Sequence, residues 1–273
     1  MIERLHVALS WVGQLPLTVV IYVALLLAGV VVLLGVSIRW WRQGGGGPLR
    51  GSPLRANRLT LLHVWLCWAA YVVGVWVGAA IERHLAPGSP EVRGVLGAST
   101  ANLLAIAACL LVAHVAFLGG LRGFGFGRCR AGFIIGSAVG GWLAALAICE
   151  GVNYLTRLAV RIAFPHFQPP EHTVFKALAD ASVPAWLRVL AVVGAFAIAP
   201  AGEELLFRGI LQTAVKKIMP RRRGSMIHRW LAILVTAAVF GLMHVGTPQF
   251  VPALVALAIV LGFLYERSGS LLV

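Results

Sequence analysis

Of the 273 residues in the chain, 60% are hydrophobic and only 12% charged, about half the charged share of an ordinary soluble domain. That balance excludes a soluble globule. The apolar residues fall in unbroken runs of about 20, the length a helix needs to cross a hydrocarbon core of about 30 Å, so the fold class is an all-α, polytopic transmembrane helix bundle. A net charge of +14 would suit a nucleic-acid binder, but the 23 Lys and Arg lie between the apolar runs and not along one polar face; the charge reads as topology, and no nucleic-acid partner is expected.

In chain order, residues 1–16, with Trp11 and Pro16, are too short and mixed to span and are expected at the membrane interface. Apolar runs follow at 17–38, 59–81, 95–118, 132–155, 186–207, 230–247 and 250–265, giving about seven spans, with an eighth just starting at Ser270. Helices are the only form these runs allow, because the alternating ten-residue segments of a membrane barrel are absent. The first run is too long for a signal sequence, lacks a small-residue cleavage site and is followed by a strongly basic loop. The expected organisation is an interfacial segment (1–16), a four-span region (17–157), an outer loop (158–185) and a C-terminal core (186–273). Within the outer loop, residues 173–181, between Pro170 and Pro184, are expected to form a short amphipathic helix on the membrane surface. Cys67, Cys109, Cys129 and Cys149 are spread singly, without C-x-x-C spacing, and read as small core residues.

Loop charge sets the expected orientation. Loops 39–58, 119–131 and 209–229 together hold 14 basic and no acidic residues and should face the cytoplasm. The alternate set holds seven basic and five acidic residues and should face outward, placing the N-terminus outside. Gly44 to Gly47, with Pro48 and Pro53, mark the first inner loop as flexible.

Ionisable groups inside spans cost a few kcal/mol or more and point to function. They concentrate at Glu203, Glu204 and Arg208, after Ala199-Pro200, and at Phe240 to His244. Successive helical residues point about 100° apart, so Glu204 and Arg208 share a face at i and i+4 while Glu203 lacks a local counter-charge. Glu203 lies 13 residues before Lys216, and His244 lies 15 after Arg229. Both therefore sit about 20 Å from the cytoplasmic ends of antiparallel helices and can meet. A carboxylate and an imidazole holding one water form a general base able to attack an amide carbonyl in a pocket shielded from lipid. Pro200 should weaken the helix before the acidic pair, while Gly202, Gly209 and Gly241 permit close helix contacts.

Other candidates read as structural. A Glu–Arg pair in a membrane helix is often only a folding device. His63 and His114 read as packing residues, and Glu150 and Asn153 as boundary residues with Arg157. Gly123 to Gly127 has the wrong glycine spacing for a nucleotide loop and reads as a turn. Ser99, after Gly97-Ala98, lacks the following glycine expected of an intramembrane serine nucleophile.

Glu203-Glu204-Leu205-Leu206-Phe207-Arg208 fits an E-E-x-x-x-R signature, and Phe240 to His244 fits F-x-x-x-H about 36 residues later. With Tyr265-Glu266-Arg267-Ser268-Gly269-Ser270-Leu271, these motifs resemble the CPBP family of CAAX proteases and bacteriocin-processing enzymes, which includes the type II CAAX prenyl endopeptidases. The resemblance covers roughly residues 185–273; the four earlier spans match only in hydrophobicity. It implies an intramembrane endopeptidase acting on a membrane-anchored or prenylated peptide. Glu203 and His244 would activate water, Glu204 and Arg208 would support them, and Phe207 and Phe240 would shape the substrate pocket. The family's third motif, H-x-x-x-N, supplies a second His and an amide for the oxyanion and is expected within about ten residues of Leu272. Its absence before Val273 leads to the expectation of a truncated sequence, or otherwise of an inactive relative.

The zinc-protease signature H-E-x-x-H is absent, and the only Asp is Asp180 in an outer loop. Glu203, Glu204 and His244 offer a sparse ligand set for zinc, so no metal or other cofactor is expected and a glutamate mechanism is preferred. The rival readings are a non-catalytic scaffold or immunity protein of the same fold and a proton-coupled transporter, the latter without the repeated broken-helix halves expected of it. Twenty Arg against three Lys suggests a GC-rich genome; with the resemblance, the expected location is a bacterial plasma membrane.

Overall fold

A computed structural model describes residues 16–42, 49, 56–85, 89–126, 130–168, 173–180, 183–219 and 227–273. The interfacial segment up to residue 15, the Gly44 to Gly47 run, Cys129 and most of the basic loops lie outside the described residues.

Each apolar run forms a helix. These are α1 (Leu17–Arg42), α2 (Leu61–Leu85), α3 (Pro90–Ala116), α4 (Ala131–Ala163), α6 (Ala185–Ile218), α7 (Ile227–Leu242) and α8 (Val251–Ser268), with a short α5 (Thr173–Ala179) before α6. Six of them are long and apolar enough to cross a membrane; α7, with 16 residues, is shorter. The large apolar side chains on their outer faces, among them Trp65, Trp76 and Phe196, are exposed, as a protein solvated by lipid tails requires. The chain is a multi-pass helical membrane protein. Among the described residues the only β pairing is an isolated antiparallel bridge between Asn57 and Phe117.

Small residues let α2 and α3 approach closely. Gly74 and Gly78 form a G-x-x-x-G step, and a Cβ at Gly78 would lie 2.6 Å from Gly97 Cα of α3, so backbone meets backbone there. Thr100 ties the pair by donating to Gly74 O at 2.6 Å. α1 rests on α4, α4 on α8, and α8 on α7, while the central stretch of α6 touches α2, α3, α7 and α8. This makes α6 the axis of the bundle.

That axis is not a uniform α-helix. It widens into π-helix at Gly194–Ile198 and again at Glu204–Gln212. Pro200 has no N–H to donate and its ring presses on the carbonyl one turn back, so a wide turn ahead of it relieves the conflict. The weak point expected at Pro200 is therefore a change of helical pitch and not a break.

Several details differ from the sequence reading. α7 stops at Leu242, five residues before the expected limit of that span, and His244 lies in the following turn. The helix of the outer loop buries Ala177 against Val183, Leu187 and the start of α3, so it docks on the bundle and does not lie free on the surface. His114 is exposed and does not pack in the core; His63 Nδ1 meets Thr60 at the start of α2. Cys67 and Cys109 are fully buried and, like Cys149, are free thiols. The glycine turn is a 3-10 helix at Gly120–Phe124. Its buried Phe124 accepts from Leu271 N at 3.1 Å through the backbone carbonyl, and residues 271 and 272 form a turn.

Candidate active site

The second π segment begins at Glu204, placing Glu203 at the end of one α turn and Arg208 inside the wide stretch. In a π-helix residues four and five apart share a face as those three and four apart do in an α-helix, so the Glu204–Arg208 pairing survives the change of pitch. Arg208 Nη1 lies 3.3 Å from Glu204 Oε1, with the guanidinium side chain 1% exposed and the carboxylate side chain 29% exposed. Arg208 also lies over the Phe240 ring, 5.0 Å from its centroid, a cation–π contact in a dry setting. Nε, Nη1 and Nη2 of Arg208 make no hydrogen bond among the described residues.

Glu203, on the neighbouring face, is half-buried. It interacts electrostatically with His244 and with Arg208 as well as with Glu204, so the expectation that it lacks a local counter-charge is corrected. His244 thus lies within electrostatic range of Glu203, but the markers used in the depth argument prove to be different from what it assumed. Lys216 and Arg229, used there to mark the cytoplasmic ends of their helices, are both buried and both ion-paired with Glu266, at 2.7 and 3.5 Å. They belong to a closed internal cluster in which Gln212 also donates to Glu266 at 3.4 Å.

His244 owes its position to the end of α7. The last turn of a helix leaves carbonyls without intrahelical partners, and His244 Nδ1 lies 2.7 Å from Phe240 O. A carbonyl can only accept, so Nδ1 carries the hydrogen and Nε2 of the neutral ring is left as the acceptor. The imidazole packs on Phe240 with centroids 4.6 Å apart and the rings tilted by 41°. Phe240 meets Phe207 edge-on at 4.9 Å, and Phe207 meets Trp68 of α2 at 5.4 Å. Phe207 and Phe240 are almost wholly buried and form an aromatic wall beneath the Arg208 and His244 side chains.

A cavity of about 390 Å³ opens beside Glu203. Small residues of α3 and α6, including Ala98 and Gly194, keep it open; Tyr71 of α2 and Ser99 and Asn102 of α3 add polar groups. His244, Phe207 and Phe240 do not line it. Tyr71 and Asn102 are absent from the sequence expectations, which sought charges and named motifs. An Asn inside a span is a sufficient signal, because a carboxamide in lipid is tolerated only where it finds partners. Among the described residues no group of three or more His, Cys, Asp or Glu is gathered as a metal site.

Fold and site together define a polytopic helical membrane protein with an ionisable cluster in its bundle axis. Residues 184–273 match the family model described as type II CAAX prenyl endopeptidase Rce1-like. The match covers the C-terminal third of the chain and takes in Glu203, Glu204, Arg208 and His244. No curated protein and no solved structure matches the chain.

Proposed function

We propose that the chain is an intramembrane endopeptidase in which Glu203 and His244 activate a water to hydrolyse a peptide bond of a membrane-anchored or prenylated substrate. The observation that supports the reading is that Glu203, at the start of the widened stretch of α6, lies within electrostatic range of His244, whose Nε2 lone pair is left free by the Nδ1 contact to Phe240 O. Glu203 takes a proton from water as its oxygen adds to the carbonyl carbon, while His244 orients the water and shares the proton. Glu204 and Arg208 hold the local charge, and the Phe207–Phe240 wall keeps lipid and bulk water from the reacting atoms. In this reading residues 186–273 form the protease core, the four spans of 17–157 wrap it, and the chemistry runs without a metal.

The decisive experiment is cleavage of a lipid-anchored fluorescent peptide by the full-length protein in proteoliposomes. Glu203→Gln and His244→Ala should each lower turnover by about 100- to 10,000-fold, the range for a lost general base, and chelators should leave the wild type unchanged. Normal cleavage by Glu203→Gln would show that Glu203 is not the base, and no cleavage by the wild type would point to the scaffold reading. Chelator-sensitive cleavage rescued by zinc would turn Glu203 and His244 into metal ligands.

The orientation belongs to the same proposal: a bacterial plasma membrane, with the N-terminus outside and the basic loops in the cytoplasm. Cysteines placed at Gly45 and Ser225 should be protected from an impermeant thiol reagent in intact cells, and one at Ser89 labelled. The inverse pattern would turn the protein over.

A further inference from the structure

α4 carries a second G-x-x-x-G step, Gly136 and Gly140, and uses it differently from Gly74 and Gly78 of α2. A Cβ at Gly78 would strike the backbone of α3, whereas a Cβ at Gly136 or Gly140 would meet nothing within 4 Å. α4 meets α8 at Gly141 instead, where a Cβ would clash with Leu264. The missing side chains at Gly136 and Gly140 therefore bring no helix closer; they leave space. That space is a cavity of about 520 Å³ bounded by Val32 and Val36 of α1, the two glycines, Trp230 of α7 and Phe263 of α8. Trp230 and Phe263 stack with centroids 5.9 Å apart and rings 18° from parallel, so one wall is a flat aromatic surface. The cavity shares no lining residue with the one beside Glu203.

Length, width and charge narrow the occupant. From Gly136 to Ile148 the lining of α4 advances 12 positions, about 18 Å of helix. One leaflet of a hydrocarbon core of about 30 Å is close to that depth. A helix about 10 Å across and about 15 Å long would fill about 1200 Å³, more than twice the cavity, whereas a single hydrocarbon chain is thin enough to enter. No charged residue lines the cavity.

At the end marked by Trp230 the surrounding helices turn basic. Arg39 follows Val36 of α1 by three residues and Arg267 follows Phe263 of α8 by four, spacings that return to the same side of a helix. Arg130 caps the start of α4, two turns before Ser137 of the lining. All three are exposed, and Arg39 and Arg130 form no ion pair among the described residues. No acid offsets them there: α1 and α7 contain none, Glu150 lies toward the other end of α4, and Glu266 is enclosed with Lys216 and Arg229. Trp41, 81% exposed at the end of α1, suits the membrane–water boundary at this level.

We infer that the cavity between α1, α4, α7 and α8 is a binding site for one anionic phospholipid. Its acyl chain lies along Gly136 and Gly140 against the Trp230–Phe263 wall, and its phosphate is held by Arg39, Arg130 and Arg267. The chain gives contacts to a lining that otherwise faces a void and ties α1, which rests on α4, to α7 and α8. A zwitterionic lipid supplies the same chain but carries an ammonium beside its phosphate, so the arginines favour phosphatidylglycerol over phosphatidylcholine. The site holds whether or not the chain is a peptidase.

The test is lipid retention by the full-length protein in detergent, read by native mass spectrometry during titration with phosphatidylglycerol or phosphatidylcholine carrying the same oleoyl chains. One phosphatidylglycerol should bind about tenfold or more tighter than phosphatidylcholine. A basic residue near an anionic lipid surface strengthens binding about fivefold, so Arg39→Gln with Arg130→Gln should weaken phosphatidylglycerol about 25-fold and leave phosphatidylcholine within about threefold. Arg157→Gln with Arg161→Gln, an equal charge change at the far end of α4, should behave as wild type. Gly140→Leu fills the cavity and should weaken both lipids about tenfold or more by displacing the chain.

Equal retention of the two lipids, or equal losses in the two double-arginine variants, would reduce the bound molecule to ordinary annular lipid and overturn the inference. Unchanged retention in Gly140→Leu would place the chain elsewhere and overturn it as well. So would a dimer that Gly140→Leu splits, which would give this face to a second copy. If Gly140→Leu fails to accumulate, the two double-arginine variants decide alone.

Discussion

α6 carries two buried ionic clusters built on opposite plans. At Lys216 the ammonium lies 2.7 and 2.8 Å from the two oxygens of Glu266, a residue wholly removed from the surface. Gln212 adds a further hydrogen bond to that carboxylate, and Arg229 a second ion pair. Eight residues earlier, Arg208 is equally buried, but it has one carboxylate neighbour at 3.3 Å and makes no guanidinium hydrogen bond among the described residues. A buried polar network is stabilising only when its members are satisfied. In the first cluster both carboxylate oxygens of Glu266 are paired, with Gln212 Oε1 left over, and the cluster joins α6, α7 and α8; in the second, all three guanidinium nitrogens of Arg208 lack hydrogen bonds among the described residues, beside Glu203 and the cavity. Charge in a membrane helix therefore has two uses in this one chain, and the hydrogen-bond inventory separates them better than depth or sequence spacing does.

The comparison breaks most readily through stability. Glu266→Gln leaves the Lys216 ammonium buried without its carboxylate, and removing one partner of such a pair costs about 3 to 5 kcal/mol. Thermal unfolding in detergent should drop sharply, or the protein should fail to accumulate. Glu203→Gln removes a half-buried carboxylate without emptying an ion pair, so its unfolding temperature should stay near wild type. Equal destabilisation by the two variants would erase the distinction between the clusters.

A smaller effect is expected at Arg208. Arg208→Leu strands Glu204, but that carboxylate side chain is 29% exposed and can be solvated or protonated. The loss should be smaller than for Glu266→Gln, and unfolding of the two variants in one detergent checks the order. A larger loss at Arg208 would show that its cation–π contact with Phe240 carries the local packing.

The smallest effect concerns the close approach at Gly202. A methyl there meets the Asn102 amide at 2.6 Å, tighter than normal contact. Gly202→Ala should cost about 1 to 3 kcal/mol through local overpacking and should be milder in combination with Asn102→Ala. A double-mutant cycle on unfolding measures that coupling, and simple additivity would separate the two sites.

Much of the site was legible in sequence because its parts are local. Glu204 and Arg208 pair across one helical turn, and E-E-x-x-x-R with F-x-x-x-H resembles a family whose model matches the same region. The seven apolar runs became helices because in lipid each segment must satisfy its own backbone. Composition and the 3.6-residue period therefore set fold class and approximate ends. The π widening of α6 escaped because helical patterns count residues and not pitch. The stop at Leu242 escaped because hydropathy continues past it, whereas the turn at His244 depends on contacts with its own preceding residues and with the packed bundle.

The sequence by itself determined which segments enter the membrane, which residues carry charge within them, and which motif they form, since these follow from transfer energies and local spacing. The tertiary structure decided that Lys216 and Arg229 close on Glu266, that Glu203 comes within electrostatic range of His244, and that Asn102 of α3 lines the cavity beside Glu203. Those outcomes join residues from 37 to 101 positions apart, and they depend on how small residues let particular helices approach, information that no single helix contains.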